Sequence, residues 1–455
     1  MIHSVPTNPD TVFYSDLLAT NGGSFASDDI IVVPPGAILV LDTDAVIGGL
    51  VVQGAFTVQD GTDIELASDW VAVIGGGEFQ VGTELEPHVS DFTLTLTGDD
   101  PSQDVNLSQI LMMSGQTMMP GMNEMVLENQ DAFLMVMGED SKLNLHSADA
   151  EKTSWTQLDG TVDAGSTSMT MTGPTGWEVG DTVVIASTDF DLNQSEEVTI
   201  TGVSDDGMSF EFEPPLEYMH YGSVDRYDDP DGEVHDLDMR AEVGLVNRNI
   251  KIQGDVDYDD DLPLNEQADQ YGGHTMIMND AEMYVSGVEF AYMGQAGILG
   301  KYPVHWHENG DASGQYITNS SVHHSFNKGI TVHDTDNTLV SNNFVNETIS
   351  HNYYLEGGEE NGNLLTGNLG MGAREVGEFG TIRGASDDNP SNFYSVTGDN
   401  AWIDNHAAGS EDKGFYFSFS GANANRDFDT FEGNTAHSVE GRGFYLNHGG
   451  LIQDG

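Results

Sequence analysis

The segment Asn319-Ser-Ser-Val-His-His-Ser-Phe-Asn-Lys-Gly-Ile-Thr-Val-His333 is repeated in form, without a gap, by Asn342-Asn-Phe-Val-Asn-Glu-Thr-Ile-Ser-His-Asn-Tyr-Tyr-Leu-Glu356. A later pair, 405–418 and 434–447, repeats the form at a slightly longer spacing. Short β-runs with Gly corners and a recurring Asn, at a period of roughly 20–30 residues, are typical of a parallel β-helix, in which each coil stacks on the last. We expect an internal ladder of stacked amides at one corner, formed by Asn319, Asn342, Asn405 and Asn434.

The rest of the chain has the same β character. Apolar runs such as Ile30–Val33 and Ile38–Leu41 alternate with Gly-rich turns up to residue 82, which fits a β-solenoid or a sandwich better than an α/β fold. Residues 153–221 contain short β-runs and no long helical period, which predicts a compact β module. We therefore predict an all-β fold: a β-rich domain at 1–150 that starts the β-helix, an inserted small β-barrel-like module at 151–224, and β-helix repeats at 225–455 that break off mid-pattern.

Composition limits the function. The 455 residues include 76 acidic and 13 basic side chains, a formal net charge of −63, and no Cys. A nucleic-acid binder is excluded because it needs a basic face. A bilayer-spanning helix is excluded because no run of about 18 apolar residues occurs. Disulfides and thiolate chemistry are excluded as well, and the acidic excess is typical of a protein kept soluble in high salt or a marine environment.

Strand alternation assigns the faces of the repeated coils. In the run 330–333, Ile330 and Val332 are predicted to point inward, so that His333 points outward. The same alternation applied to the neighbouring coils, about 4.8 Å apart, predicts one outward patch on solvent. Its members are His305, His307, Thr331, His333, Tyr354 and Glu356.

This patch holds the candidate chemistry. His-x-His on a strand presents two imidazoles on one side, and a nearby carboxylate completes a metal-binding set, for which we nominate His305, His307, His333 and Glu356. The same groups suit general acid–base catalysis, with His333 and Glu356 as partners. The alternative is a set of solvated surface imidazoles in a protein that avoids Lys and Arg.

Two further acidic features have competing interpretations. Asp238, Arg240 and Glu242 alternate along an expected strand and would share a face, either as a structural ion pair or as part of a site. The Asp-rich segments 225–236 and 255–261 are expected to be loops that either bind Ca²⁺ or are simply solvated.

Several short motifs resemble one family in the same order along the chain. They include 33–42 (Val-Pro-Pro-Gly-Ala-Ile-Leu-Val-Leu-Asp), 70–77 (Trp-Val-Ala-Val-Ile-Gly-Gly-Gly), 180–191, 301–307 (Lys-Tyr-Pro-Val-His-Trp-His) and 408–411 (Ala-Gly-Ser-Glu). The first two resemble the eight-glycine domain, and the set as a whole resembles the cell-surface hyaluronidase and cell-migration-inducing hyaluronan-binding protein family. The family's cysteines and the Trp-rich opening of that domain have no counterpart here.

The resemblance implies a right-handed, pectin-lyase-like parallel β-helix in an extracellular or cell-surface protein, although no signal peptide is visible. It implies action on hyaluronan or a similar polysaccharide and calcium dependence. By position it adds further candidates, with Arg240 and Asp238 nominated as catalytic. His323 and Glu411 also match the family by position. The candidates for contact with substrate are Glu242, His274, His324, His351 and, from the outward patch, Tyr354.

Three functions remain open from the sequence. The first is a polysaccharide depolymerase, either hydrolase or lyase, that cuts an extended chain internally with the help of Ca²⁺ or a transition metal such as Zn, Mn or Fe. The second is a non-catalytic, adhesin-like surface protein that binds glycan or calcium. The third is a different metal-dependent enzyme built on His305, His307 and Glu356. The oligomeric state is not predicted.

Overall fold

The computed structural model describes residues 1–7, 11–100, 102–113, 126–128, 131–377, 387–419 and 428–448. Their strands form a parallel β-helix with three sheets, interrupted by an antiparallel module. Each complete coil passes from sheet 1 to sheet 3, then to sheet 2, and back to sheet 1 one level higher. The predicted all-β fold, with a β-helix and an inserted module, is confirmed.

Sheet 1 carries the candidate site on its outer face. Its strands are β1 (Ile2–Ser4), β3 (Ile30–Val33), β5 (Ala45–Val52), β7 (Ile64–Ile74), β12 (Phe133–Met137), β23 (His274–Met278), β26 (Val304–Asp311), β29 (Ile330–Asp336), β32 (His351–Leu355), β35 (Ser391–Ser395), β38 (Lys413–Phe419) and β41 (Arg442–His448).

Sheets 2 and 3 complete the coils. The first halves of β5 and β7 begin sheet 2, which continues through β9 (Phe92–Leu96), β22 (Ile250–Gly254), β25 (Val288–Ala291), β28 (Ser321–Ser325), β31 (Phe344–Ile349), β34 (Leu369–Arg374), β37 (His406–Ser410) and β40 (Thr435–Val439). Sheet 3 consists of β2 (Thr11–Phe13), β4 (Ile38–Leu41), β6 (Ala55–Val58), β8 (Glu78–Val81), β13 (Lys142–His146), β24 (Glu282–Ser286), β27 (Tyr316–Thr318), β30 (Leu339–Ser341), β33 (Leu364–Thr366), β36 (Ala401–Ile403) and β39 (Thr430–Glu432).

The inserted module is a six-stranded antiparallel sheet between β13 and β22 of the β-helix. Its strands are β14 (Trp155–Gln157), β15 (Ser168–Thr170), β16 (Thr182–Ile185), β17 (Glu196–Val203), β18 (Ser209–Glu213) and β21 (Glu242–Leu245). Because β21 pairs with both β14 and β16, the module's sheet extends past residue 224, where the sequence prediction ended it.

Smaller elements surround these sheets. The segment 225–236, expected to be a loop, instead forms most of a hairpin, since Tyr227 pairs with His235 across its strands. In the described residues the α-helices are α1 (Tyr14–Thr20) and α2 (Leu107–Met113), and neither is long or apolar enough to cross a bilayer. The hairpin strands are β19 (Val224–Asp228) and β20 (Val234–Asp238), and the strands beside α2 are β10 (Val105–Asn106) and β11 (Val126–Leu127).

The register between coils follows the repeat. Ile330 pairs with Tyr353, and Val322 with Val345, as the alignment of the two repeated segments predicts. In the later coils Phe415 pairs with Phe444. Inward positions therefore align in columns, and apolar side chains such as Val304, Trp306 and Val332 fill one continuous core that holds the sheets together.

The amide ladder exists, but half of its predicted members are wrong. The buried ladder is Asn343, Asn368, Asn405 and Asn434, in which each carboxamide donates to the oxygen of the next at 2.9–3.1 Å. Asn319 and Asn342 lie one residue earlier, at corners with φ of 51° and 52°. A corner needs both a left-handed residue and a ladder residue, and Asn suits both roles, so sequence alone places the ladder one residue off.

We expect Asn368→Ala to lower the free energy of unfolding by about 2–3 kcal/mol, because Asn343 on the coil below and the Val340 carbonyl lose buried partners. Urea denaturation followed by circular dichroism measures the change. Asn361→Ala is the matched control: Asn361 is exposed, and its replacement should stay within about 0.5 kcal/mol. Equal effects of the two substitutions would contradict a structural ladder.

Candidate functional site

Four predicted residues meet in one cavity on the outer face of sheet 1. His305 and His307 lie on β26, His333 lies on β29 one coil higher, and Glu356 follows β32 on the next coil. They line a cavity of about 370 Å³. Its other wall is formed by Val126, Leu127, Glu128, Met135, Met276, Met278, Leu299 and Gly300.

The three imidazoles converge. One ring nitrogen from each of His305, His307 and His333 lies within 4.8 Å of the other two. The Nδ1 atoms of His307 and His333 are 3.0 Å apart, close to the about 3.3 Å between two nitrogens on one tetrahedral metal ion. Glu356 is outside this group, with Oε2 3.8 Å from His333 Nδ1. The set is therefore three histidines, with the carboxylate beside them.

His305 is prepared to accept a ligand. Its side chain is fully buried, and burial holds its pKa well below the usual value, so the imidazole is neutral. Nδ1 lies 3.1 Å from the Gly300 carbonyl oxygen, which can only accept, so Nδ1 carries the proton. Nε2 is then a lone-pair acceptor, and it is buried without a hydrogen-bond partner among the described residues. Metal-binding histidines commonly donate their second ring nitrogen to a carbonyl in this way.

The predicted solvent exposure of the patch is wrong. The side chains point outward from the sheet as alternation predicted, yet His305 and Thr331 have no exposed surface and Tyr354 has 2%. Strand alternation predicts only that a side chain points away from the core of the β-helix. It does not predict whether other segments cover that side chain. Two segments then cover the outer face, β11, which is remote in sequence, and residues 299–302, which directly precede β26, and the site is a pocket instead of an open surface.

Lys301 and His274 lie beside the cavity. Lys301 Nζ is 3.2 Å from His274 Nε2, and both side chains are buried. Desolvation lowers the pKa of Lys301 to about 7. His274 was predicted, whereas Lys301 was only part of a quoted motif. The feature of the sequence that could have identified Lys301 is its position in the motif Lys-Tyr-Pro-Val-His-Trp-His, four residues before His305.

Tyr354 and His351 belong to a stack above the cavity. Their rings are 5.2 Å apart, and His351 also stacks on Tyr394 at 4.5 Å. His351 Nδ1 lies 2.8 Å from the Ser391 hydroxyl. Both side chains are buried, so the structure gives them a supporting position and no open surface for substrate.

The predicted alignment of Asp238, Arg240 and Glu242 is wrong. β20 ends at Asp238 and β21 begins at Glu242, so the three do not share a strand. Arg240 pairs with Asp238 at 2.5 Å on the module, outside the cavity lining. Glu242 is instead buried against the β-helix.

Glu242 joins two histidines that the sequence prediction missed. Its carboxylate oxygens lie 2.7 Å from His406 Nδ1 and 2.7 Å from His437 Nε2. Although burial opposes ionisation, the two imidazoles hold the pKa of Glu242 below its usual range, and the carboxylate raises the pKa of His437. No repeat or motif connected these residues, because β21 reaches β37 and β40 only through the fold.

The remaining predicted residues are structural neighbours elsewhere. His323 Nε2 lies 3.1 Å from buried Glu289, and its Nδ1 is 2.7 Å from His324 Nδ1, on sheet 2 and outside the cavity. Glu411 pairs with Arg374 at 3.5 Å. Neither group lines the cavity.

Two known protein families match this chain, one over its N-terminal part and the other over its C-terminal part. Residues 20–159 match the family described as G8 domain, and residues 270–447 match the family described as CEMIP beta-helix. The chain therefore contains a G8 domain followed by a CEMIP β-helix. The family resemblance predicted from sequence is confirmed. The three histidines lie in the CEMIP β-helix match, whereas residues 126–128 and Met135 of the opposite cavity wall lie in the G8 match.

Relatives share these parts but are much longer. Fibrocystin-L of Mus musculus is 29% identical over 443 residues, which is 89% of this chain and 10% of the relative. The cell surface hyaluronidase CEMIP2 of Homo sapiens is 32% identical over 53% of this chain and 19% of its own length. This chain therefore spans a fifth or less of these relatives.

Among solved structures, the tailspike protein gp49 from Pseudomonas phage LKA1 aligns with 94% of this chain and 56% of its own at 12% identity and a TM-score of 0.23. That likeness is too weak to carry an inference about function.

Calcium does not fit the three-histidine cavity of this CEMIP β-helix. Ca²⁺ takes six to eight oxygen ligands, whereas the converging atoms here are imidazole nitrogens with one carboxylate beside them. Such nitrogens suit zinc, iron, nickel or copper. The expected calcium dependence therefore has no basis in this cavity.

We expect Glu242→Gln to lower the pKa of His437, because the carboxylate that stabilises the imidazolium is removed. NMR titration of the His437 ring protons measures it. In the wild type, the stability that His437 contributes is fully present below pH 6.5 and is lost as the pH rises through its raised pKa. Glu151→Gln, at an exposed carboxylate, is the control. An unchanged His437 titration in the Glu242 variant would refute this coupling.

Proposed function

We propose that the chain is the glycan-cleaving part of an extracellular, metal-dependent polysaccharide depolymerase, with its active site in the three-histidine cavity. The observation that carries the proposal is the buried, unpartnered Nε2 of His305 facing two further imidazoles. His351 also has a buried ring nitrogen without a hydrogen-bond partner among the described residues, but at His305 two further imidazoles converge on the free nitrogen.

The three imidazoles would hold one divalent transition-metal ion. Such an ion would act as a Lewis acid toward a substrate oxygen. His305 is kept in the required tautomer by Gly300, and burial keeps its ring neutral without any bound ligand. The apolar wall of methionines and leucines excludes water from that side.

We assign to Glu356 the role of the group that donates or accepts a proton during the reaction. Its carboxylate has 1% exposure, lies 3.8 Å from His333, and is not one of the three converging ligands. A buried carboxylate beside a reacting group can hold or take up a proton, which is the role that a glycosidic bond or a uronate C5 position requires.

The substrate class rests on the relatives. Proteins named cell surface hyaluronidase in human and zebrafish match at 32% and 30% identity. We propose a hyaluronan-like polymer and an extracellular or cell-surface location. A metal ion in the cavity would also supply positive charge to a protein whose formal net charge is −63.

We expect protein purified without a His tag to contain about one equivalent of a transition metal, measured by inductively coupled plasma mass spectrometry. His305→Ala should lower that content at least about tenfold, because it removes one of three ligands. His324→Asn is the matched control, since His324 has φ of 52° and lies outside the cavity, and Asn tolerates that conformation. A metal content below about 0.1 equivalent would overturn the metal site.

We expect wild-type protein to shorten hyaluronan, and a chelator to stop it. Size-exclusion chromatography after incubation in molar salt, with a panel of acidic and neutral polysaccharides, measures this. His333→Ala should lower the rate by about 10²-fold or more, because it removes a ligand and the partner of Glu356. Activity that survives both the chelator and the substitution would refute the assignment, and unchanged size of every polymer would favour a binding protein.

A further inference from the structure

A second cavity lies at the corner between sheets 3 and 2, away from the three-histidine cavity on sheet 1. We call it the corner groove, and its volume is about 680 Å³. One wall comes from the start of the inserted module and the other from the corners of successive coils. Its lining residues are Ala150, Glu151, Lys152, Thr153, Ser154, Trp155, Asn319, Asn342, Thr366, Gly367, Asp404 and His406.

Trp155 is the aromatic platform of this groove. Its ring is 4.7 Å from that of His406, and its Nε1 donates to the Gly367 carbonyl at 2.7 Å. Of the five tryptophans it is the one that is partly exposed, whereas the other four have at most 3% exposed surface. The indole is therefore fixed in orientation while part of it stays open to a ligand.

His406 is fixed behind this ring. Glu242 is ionised, because its two imidazoles keep its pKa low, so His406 must donate through Nδ1. The pairing anchors the groove's back wall to both the module and the β-helix. A positioned aromatic ring with a few oriented polar groups is the usual make-up of a ligand site.

A row of polar corner residues faces the platform. Positions 319, 342, 367, 404 and 433 are equivalent on successive coils and all have positive φ. Within the described part of the chain, the carboxamides of Asn319 and Asn342 have no hydrogen-bond partner. Two free amides on coils about 4.8 Å apart offer donors and acceptors along the helix axis.

The charge of the groove selects among ligands. Glu151 and Asp404 are exposed carboxylates in its lining. Among the described residues of the lining, Lys152 is the only lysine or arginine, and Asp149, Asp181 and Glu178 engage it at 3.2, 3.0 and 3.5 Å. A uronate would therefore meet carboxylates without a free cation, which disfavours it relative to an uncharged sugar.

We propose that the corner groove is a second saccharide-binding site, which takes a neutral, hydroxyl-rich glycan chain against Trp155 and the amides of Asn319 and Asn342. A pyranose has an apolar face that packs on an indole and hydroxyls that pair with carboxamides. This site goes beyond the proposed depolymerase and does not depend on it.

Tryptophan fluorescence tests the proposal, because Trp155 is the partly exposed reporter. Cellohexaose, maltohexaose and mannohexaose are titrated in turn, with a hyaluronan hexasaccharide as the anionic comparator. We expect at least one neutral probe to change the emission with a Kd of about 0.1–1 mM. Repeating the titration in His333→Ala should give the same Kd, which separates failure of this site from failure of the catalytic cavity.

Two substitutions locate the binding. Trp155→Phe should abolish the emission change and weaken binding roughly tenfold by calorimetry, because the larger ring surface is lost. Asn342→Gly should weaken binding about fivefold. Glycine is tolerated there, since Gly367 occupies the equivalent position one coil higher. Asn337→Gly is the matched control: it is also a left-handed corner Asn, equivalent to Gly362, and lies outside the groove.

Circular dichroism establishes that each variant is folded. The site is overturned if no neutral probe binds at about 10 mM, if only the hyaluronan hexasaccharide binds, or if folded Trp155→Phe and Asn342→Gly bind as the wild type does.

Discussion

The parallel hydrogen-bond register between successive coils is the constraint on which the rest of the molecule depends. Each strand pairs with the equivalent strand of the coils below and above, so equivalent residues stand in columns. A column must hold one kind of residue: apolar side chains inside, amides in the ladder, left-handed residues at the corners. Any residue that breaks a column disturbs two neighbouring coils at once, which explains the repetition of Asn343, Asn368 and Asn405.

Columns of outward-pointing residues are free of that requirement. Whether these residues are buried or exposed depends on the segments that cover them. Helix α2 packs on the early coils of sheet 1, where Trp70 and Phe133 face it. The module packs on sheet 2, where Gly244 approaches the Phe344 ring so closely that an added Cβ would stand 2.6 Å from it. Among the described residues, the three-histidine cavity and the corner groove are two places where a covering segment meets the coils and leaves a cavity.

Burial also sets the electrostatics of the two sites. The protein has a formal net charge of −63, yet the cavity contains His305 and His307, whose pKa values burial lowers, so these imidazoles are neutral and able to ligate. Behind the corner groove, Glu242 is buried between two imidazoles and stays ionised. The cation proposed for the cavity and the uncharged ligand proposed for the groove are consistent with these charges.

Sequence by itself determined the all-β class, the register of the repeated coils, the resemblance to proteins with a G8 domain and a CEMIP β-helix, and the convergence of His305, His307 and His333. These follow from period and alternation, which are local properties that stacking preserves. Only the tertiary structure decided which outward residues are buried, that Glu242 leaves Asp238 and Arg240 to join His406 and His437, and that Trp155 faces a row of amides. Those contacts join residues far apart in the chain, such as Glu242 and His437, which are 195 residues apart, and such pairings have no periodic signature in the sequence.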